Sequence, residues 1–246
     1  MNTKLAELRR EVQRELRPFT RPFTGPRRVP AARATSRRTT LPVVLFAILK
    51  VAAVVALPFV VYVRASVLLY VQGAPSWLAV SGAAILTMAL AAGYAAWLSR
   101  RFSGRARART ISHWVALPIA AAWCAYAALY LARVNAKSDQ VRAYYAAVHP
   151  VLRVALATAI LADPDIVVTD LQRTPEDYGR MGLPVNNRTK HYRQPNGWVH
   201  AVDLRTRERG EIRNRMVQLY FWTMGFQTLR HVGTADHLHV QLALKP

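Results

Sequence analysis

The C-terminal third of the chain concentrates residue types that bind metals. Five of the seven histidines lie between His191 and His239, and the last of them belong to the segment Asp236-His237-Leu238-His239. In a β-strand, residues two apart point to the same face, so His237 and His239 are expected to project together. Their spacing predicts a strand that presents two imidazoles to one surface, with Asp236 at its beginning.

A second segment that favours a strand contains Asp203, and two histidines, His191 and His200, precede it. Asp203, one of these histidines and His239 would form three protein ligands with an open water position, the arrangement of a catalytic zinc site. A site built on thiolates is excluded, because the only cysteine, Cys124, lies in an apolar segment. The sequence therefore predicts a zinc ion held by histidine and aspartate.

Such a site would support hydrolysis. Zinc makes its bound water acidic enough to supply a hydroxide nucleophile near neutral pH, and Asp236 could accept the proton as a general base. Arg173 follows the first predicted strand and could hold a substrate carboxylate through a bidentate pair.

These residues, in this order, resemble the zinc peptidases of the D-alanyl-D-alanine carboxypeptidase and Hedgehog superfamily, which includes enzymes that cut the stem peptides of peptidoglycan. The resemblance covers about residues 141–244. It rests on three segments: Val-Thr-Asp-Leu-Gln-Arg173-Thr-Pro-Glu, Thr189-Lys-His191 followed by His-Ala-Val-Asp203-Leu-Arg, and Asp236-His-Leu-His239-Val.

The resemblance implies a role for each matching residue. It assigns zinc binding to His191, Asp203 and His239, substrate binding to Arg173, the catalytic base to Asp236, and an additional active-site imidazole to His237. Relatives usually carry the first ligand seven residues before the aspartate, where this chain has Asn196. His191 is preferred over His200, because the odd spacing of His200 from Asp203 points it to the opposite strand face. Residues 194–197 must then loop out.

The rest of the chain predicts a membrane anchor. Hydrophobic residues make up 52% of the chain although its net charge is +21, so apolar and basic residues occupy separate segments. Apolar segments at 41–63, 77–98 and 114–131 each approach the ~20 residues that cross a bilayer as a helix.

The basic residues predict the orientation of these spans. Arginines are concentrated in residues 1–40 and in the connection between the second and third spans. Because basic loops stay on the cytoplasmic side, the N-terminus is expected in the cytoplasm of a bacterial cell, with residues 134–246 on the periplasmic side of the inner membrane. The arm 1–40 either contacts anionic lipid headgroups or serves only as a topology signal. Few aromatic residues accompany its charges, and no nucleic acid partner is expected.

The expected fold is α+β: a basic cytoplasmic arm (1–40), three transmembrane helices (41–133), and a small extracytoplasmic domain (134–246) with an antiparallel sheet and flanking helices. Helices are predicted at 141–161 and 208–224, strands at 166–169, 198–204 and 238–244, and a loop at 173–187.

The function expected from these features is that of a membrane-anchored, zinc-dependent peptidase acting on peptidoglycan stem peptides, as a D,D-carboxypeptidase or an endopeptidase. The alternative is a non-catalytic wall-binding or assembly module within a secretion, conjugation or phage-lysis complex.

Overall fold

The computed structural model describes residues 10–11, 41–103, 117–182, 184–233 and 236–243. Most of the predicted basic arm lies outside these residues, as do most of the connection between the second and third predicted spans and the start of the third span.

Within the residues that the structure describes, two helices are long and apolar enough to cross a membrane. Helix α1 extends over Leu41–Val71 and helix α2 over Ser76–Ser103, and a tight turn at 72–75 joins them. At 1.5 Å per residue, each exceeds the ~30 Å of a hydrocarbon core. The third apolar helix, α3 at Leu117–Leu129, has 13 described residues, so the third span remains a prediction.

The C-terminal part combines short helices with a four-stranded antiparallel sheet, which confirms the predicted α+β class. Its elements follow in chain order: a 3-10 turn at Arg133–Asn135, α4 at Asp139–Ala143, a 3-10 turn at Tyr144–Ala147, α5 at Pro150–Ala162, β1 at Val168–Asp170, α6 at Pro175–Arg180, β2 at Ala201–Arg205, α7 at Glu211–Met224, β3 at Gln227–His231 and β4 at His237–Gln241.

The sheet has the order β1-β2-β4-β3, and every pair of neighbours is antiparallel. In the central pair, Asp203 of β2 lies opposite His239 of β4, and Arg205 lies opposite His237. Directly opposite residues share a face of the sheet. One face thus carries polar side chains, while the other packs against α5 and α7 through residues such as Leu238 and Val240, which are buried.

Helix α5 forms the centre of the core, since every residue from Pro150 to Ile160 is buried. The prediction of one helix over 141–161 was wrong at the His149-Pro150 junction. Proline disfavours a helical conformation in the residue before it, and His149 has φ −56° and ψ 133°. The chain therefore starts a new helix at Pro150, and the His149 side chain accepts a hydrogen bond from the Val151 N–H at 3.3 Å.

The ends of α1, α2 and α3 hold the C-terminal part directly. Tyr145 donates a hydrogen bond to the carbonyl oxygen of Ala127 at the end of α3, at 2.7 Å. Ser76, the first residue of α2, is hydrogen-bonded to His149 at 2.7 Å. Arg64 of α1 donates to the carbonyl oxygen of Met224 at 3.0 Å. The apolar helices and the sheet domain consequently share one packed interior.

Candidate metal centre

Three side chains that could hold a metal ion converge on the polar face of the sheet: His191, Asp203 and His239. Asp203 Oδ1 lies 2.8 Å from His239 Nδ1 and 3.2 Å from His191 Nε2, and the two nitrogens are 3.4 Å apart. Asp203 and His239 come from paired strands. His191 comes from the irregular segment before β2, where its backbone N–H donates a hydrogen bond to the Thr189 hydroxyl oxygen at 3.2 Å.

The spacing suits a small tetrahedral cation. Zinc bonds of ~2.0–2.2 Å place tetrahedral ligand atoms roughly 3.3–3.6 Å apart, and the observed separations of 2.8–3.4 Å need only small adjustments to match. His191 and Asp203 are buried and His239 is half-buried, so the ion would remain reachable from one side.

Hydrogen bonds to the outer ring nitrogens orient both imidazoles. His191 donates from Nδ1 to the carbonyl oxygen of Leu171 at 2.6 Å, and His239 Nε2 lies 3.2 Å from Gln241 Oε1. A carbonyl oxygen can only accept, so a neutral ring that donates from its outer nitrogen leaves the lone pair of its inner nitrogen available to a metal ion. In that tautomer, two lone pairs and the Asp203 carboxylate would surround a bound cation.

Asp203 stays ionised within the site. Burial would raise the pKa of this carboxyl, but the charge and hydrogen bond of His191, together with His239 and His237, bring the pKa well below its ordinary value. Its second oxygen, Oδ2, accepts a hydrogen bond from Arg173 at 2.7 Å.

Arg173 positions Asp203 and does not stand free in the cleft. Its Nε donates to Asp170 at 2.5 Å while a second nitrogen binds Asp203, and its guanidinium lies 5.7 Å from the ring centroid of Tyr178. Substrate binding, the role that the resemblance implies for Arg173, would require this guanidinium to bind a carboxylate in addition to two aspartates.

The contacts of Asp236 do not favour the role of general base. Asp236 lies just before β4 and contributes to the lining of the cleft, but its carboxylate is held by neighbouring side chains. Arg230 donates to both of its oxygens at 2.7 and 2.9 Å, and Thr206 donates at 2.6 Å. These hydrogen bonds lower the pKa of Asp236 to about 2, which makes the carboxylate a weak proton acceptor.

His237 lies on the same face as the three candidate ligands. Its Nε2 is 3.7 Å from Asp203 Oδ2, and its ring stacks on that of His231 with centroids 4.5 Å apart. It is therefore the histidine beside the candidate ligands that could exchange a proton with a bound substrate.

His200 lies away from this centre. Its ring is buried next to His149, with centroids 4.8 Å apart, and it is hydrogen-bonded to Asn196 at 2.9 Å. Asn196 belongs to the tight turn over 194–197, in which Gly197 has φ 83° and donates its N–H to the Gln194 carbonyl at 2.8 Å. Asn196 in this turn contacts Tyr70 and His200 and not the three candidate ligands; that the turn is an insertion remains a prediction.

The centre opens into a cleft of about 860 Å³. Lys137, Arg188 and Lys190 contribute basic side chains to its lining. A cleft with basic side chains in its lining could admit a ligand that carries carboxylates.

Three supporting groups escaped the sequence analysis: Asp170, the carbonyl oxygen of Leu171, and Gln241. Gln241 could have been found, because it follows His239 by two residues and so shares its strand face. Asp170 ends β1 and Arg173 lies in the loop that follows, and the carbonyl of Leu171 carries no side-chain signal. Neither contact therefore follows from a sequence pattern.

Comparisons with known proteins give no match: no family model matches the sequence, and neither a curated protein nor a solved structure matches the chain.

Proposed function

We propose that this chain is a membrane-anchored zinc peptidase that cleaves peptidoglycan stem peptides on the outer side of the cytoplasmic membrane, with the chemistry of the D-alanyl-D-alanine carboxypeptidase and Hedgehog superfamily. The observation that carries the proposal is the convergence of three candidate ligand atoms, on His191, Asp203 and His239, in an open cleft.

In this proposal, His191, Asp203 and His239 hold the ion, and zinc supplies an acidic bound water and polarises the scissile carbonyl. Arg173 holds Asp203 in its orientation through the hydrogen bond to Oδ2. His237 takes and returns a proton on the substrate side of the sheet, because Asp236, first expected to do so, is bound by Arg230.

The contacts between the apolar helices and the domain support the outer location. The end of α1, the beginning of α2 and the end of α3 all contact the domain. If α3 completes a third span, these three ends lie on one side of the membrane, opposite the basic connection between α2 and α3. The positive-inside rule then gives the domain the side on which peptidoglycan lies.

The direct test uses the full chain, purified in detergent and assayed for metal content and for muropeptide release from purified sacculi. The wild type is expected to bind one zinc ion per chain and to release stem-peptide fragments. His239→Ala should lose both, whereas His231→Ala, an exposed histidine of the adjacent strand, should keep the metal. A folded wild-type protein without zinc or released peptides would refute the proposal.

A second function, a non-catalytic wall-binding or assembly module, is favoured by one observation: the carboxylate at the expected base position is held by Arg230 and Thr206. If this function is the true one, sacculi would bind the protein but stay intact, and His239→Ala would leave both the binding and the cellular function unchanged.

A further inference from the structure

Helix α7 carries a row of large apolar side chains that face away from the protein. Ile212, Met216, Leu219 and Trp222 are 78%, 64%, 57% and 65% exposed. Spacings of four, three and three residues place them along one side of a helix. Contiguous exposed apolar surface of this kind marks a contact with another phase or another molecule.

This row does not serve the core, because α7 packs on the sheet with its opposite side. Asn214, Phe221 and Met224 point inward and are buried, and Tyr220 donates a hydrogen bond to the Ala155 carbonyl of α5 at 3.0 Å. A surface helix normally has an apolar inner side and a polar outer side. Here the outer side also carries large apolar side chains, and a partner that covered them would stabilise the structure.

The position of α7 identifies that partner. Its last carbonyl, that of Met224, accepts a hydrogen bond from Arg64, and Gly225 lies so close to Arg64 and Val67 that a Cβ would collide with them. Along α1, apolar side chains such as Val55 and Val60 are exposed, whereas Val67 is buried against the protein. The C-terminal end of α7 contacts α1 at this transition.

If α1 crosses the bilayer, this level lies near the outer end of its candidate span, Pro42–Val71, close to the boundary between hydrocarbon and headgroups. Tryptophan is enriched there, since its ring is apolar at one end and its N–H is polar at the other. Arg213 and Arg215 lie beside the apolar row, but each is paired with carboxylates, Arg213 with Asp163 and Asp165 and Arg215 with Glu211. The apolar side chains therefore carry the inference.

We propose that the outward side of α7 lies on the outer surface of the bilayer, with Leu219 and Trp222 at the boundary between headgroups and acyl chains. This contact would attach the domain to the membrane at a second place, besides the spans. It would also fix the orientation of the domain relative to the membrane. It depends on α1 crossing the bilayer and is independent of zinc binding and of peptidase activity.

The test places a nitroxide label on Leu219→Cys in the full chain, with Cys124→Ser as background, in vesicles of phosphatidylcholine and phosphatidylglycerol. Serine can keep the hydrogen bond that Cys124 makes with Tyr62. Labels at Leu57→Cys, on the exposed side of α1, and at Val185→Cys, in the exposed loop before His191, provide the lipid and water references. Collision with oxygen and with a water-soluble nickel complex is measured by electron paramagnetic resonance.

We expect the label on Leu219→Cys to collide with oxygen several-fold more often than with nickel. The label on Leu57→Cys, the lipid reference, should show the same preference. Nickel accessibility equal to that at 185 would overturn the proposal. Low accessibility to both, with spin–spin broadening between chains, would overturn it in favour of contact with a second copy.

A second measurement avoids the cysteine variants. The difference in fluorescence between the wild type and Trp222→Phe gives the contribution of Trp222. In the same vesicles prepared with brominated acyl chains, the lipid bromines should quench this contribution by about half or more. Unquenched Trp222 fluorescence would contradict the proposal.

Discussion

Asp203 and His239 face each other from adjacent antiparallel strands, and their side chains meet with Oδ1 2.8 Å from Nδ1. The ladder between β2 and β4 determines this distance, and both strands are central in the sheet. Sites carried by packed strands are held more accurately than sites carried by loops. Of the three candidate ligands, only His191 depends on an irregular segment, and the Leu171 carbonyl fixes its ring.

Asp203→Asn should weaken zinc binding by about 100-fold or more. The change removes the only carboxylate among the three candidate ligands and leaves Arg173 with one partner fewer; loss of a supporting residue alone commonly costs about 10–100-fold. Isothermal titration calorimetry on the full chain measures the affinity. Asp165→Asn, which removes a carboxylate from an exposed pair with Arg213, is the matched control, and equal affinities in the two variants would contradict the assignment.

Arg173→Lys should lower zinc affinity roughly 10-fold through the orientation of Asp203. A lysine ammonium is a single point charge and cannot reproduce the two separate hydrogen bonds to Asp170 and Asp203. Arg180→Lys, in an exposed pair with Asp177, serves as the control. If Arg173→Lys raised only the KM for peptide and left zinc affinity unchanged, Arg173 would be a substrate-binding residue, as the resemblance implies.

A fragment that begins at residue 134 should be much less stable than the same domain in the full chain. It loses the carbonyl partners of Tyr145 on Ala127 and of Arg153 on Ala128. Each lost hydrogen bond costs about 0.5–1.5 kcal/mol, and the core also loses the buried side chains of Ala127 and Leu131, so the fragment should unfold about 10 °C or more below the full chain. Thermal unfolding followed by circular dichroism tests this, and equal midpoints would show that the apolar helices only anchor the domain.

Lowering the pH should destabilise the protein through His200. Burial, together with the nearby positive charge of Lys190, lowers the pKa of His200 from 6.5 to about 4. Between these values the unfolded chain binds the proton and the folded chain does not. The stability of the fold is therefore greatest above pH 6.5 and falls as the pH approaches 4.

The measurement for this prediction is thermal unfolding in chelator at pH 7.5 and 5.0. His200→Gln, which can keep a hydrogen bond to Asn196, should lose less stability over this range than the wild type. Identical losses in the two proteins would rule out His200 as the source.

Much of this architecture follows from local patterns. The end of α7 at Gly225 was predictable, and the residue has φ 100° there, a conformation that favours glycine. β2 and β4 were predictable from alternating apolar residues around Asp203 and His239. Burial of alternate side chains on a packed strand leaves such a pattern in the sequence.

Other elements left weaker signals. β3 was missed because it is an edge strand whose side chains are exposed or half-buried, so its sequence does not need to alternate strongly. Helix α6 was predicted to be loop because its six residues include a proline and a glycine. The partners of Arg173 and Asp236 come from segments that are distant or irregular, and sequence spacing does not report such contacts.

The connection between α3 and the domain has a consequence for the proposed enzyme. Only residues 130–132 separate the end of α3 from the next turn at Arg133–Asn135. A linker this short would hold the proposed catalytic centre at a nearly fixed distance from the end of the helix. The centre could then reach substrate only within the thickness of the domain, roughly 30 Å from the lipid. Such an enzyme would trim strands where they are newly laid down beside the bilayer, and it would leave the older, more distant layers of the wall untouched.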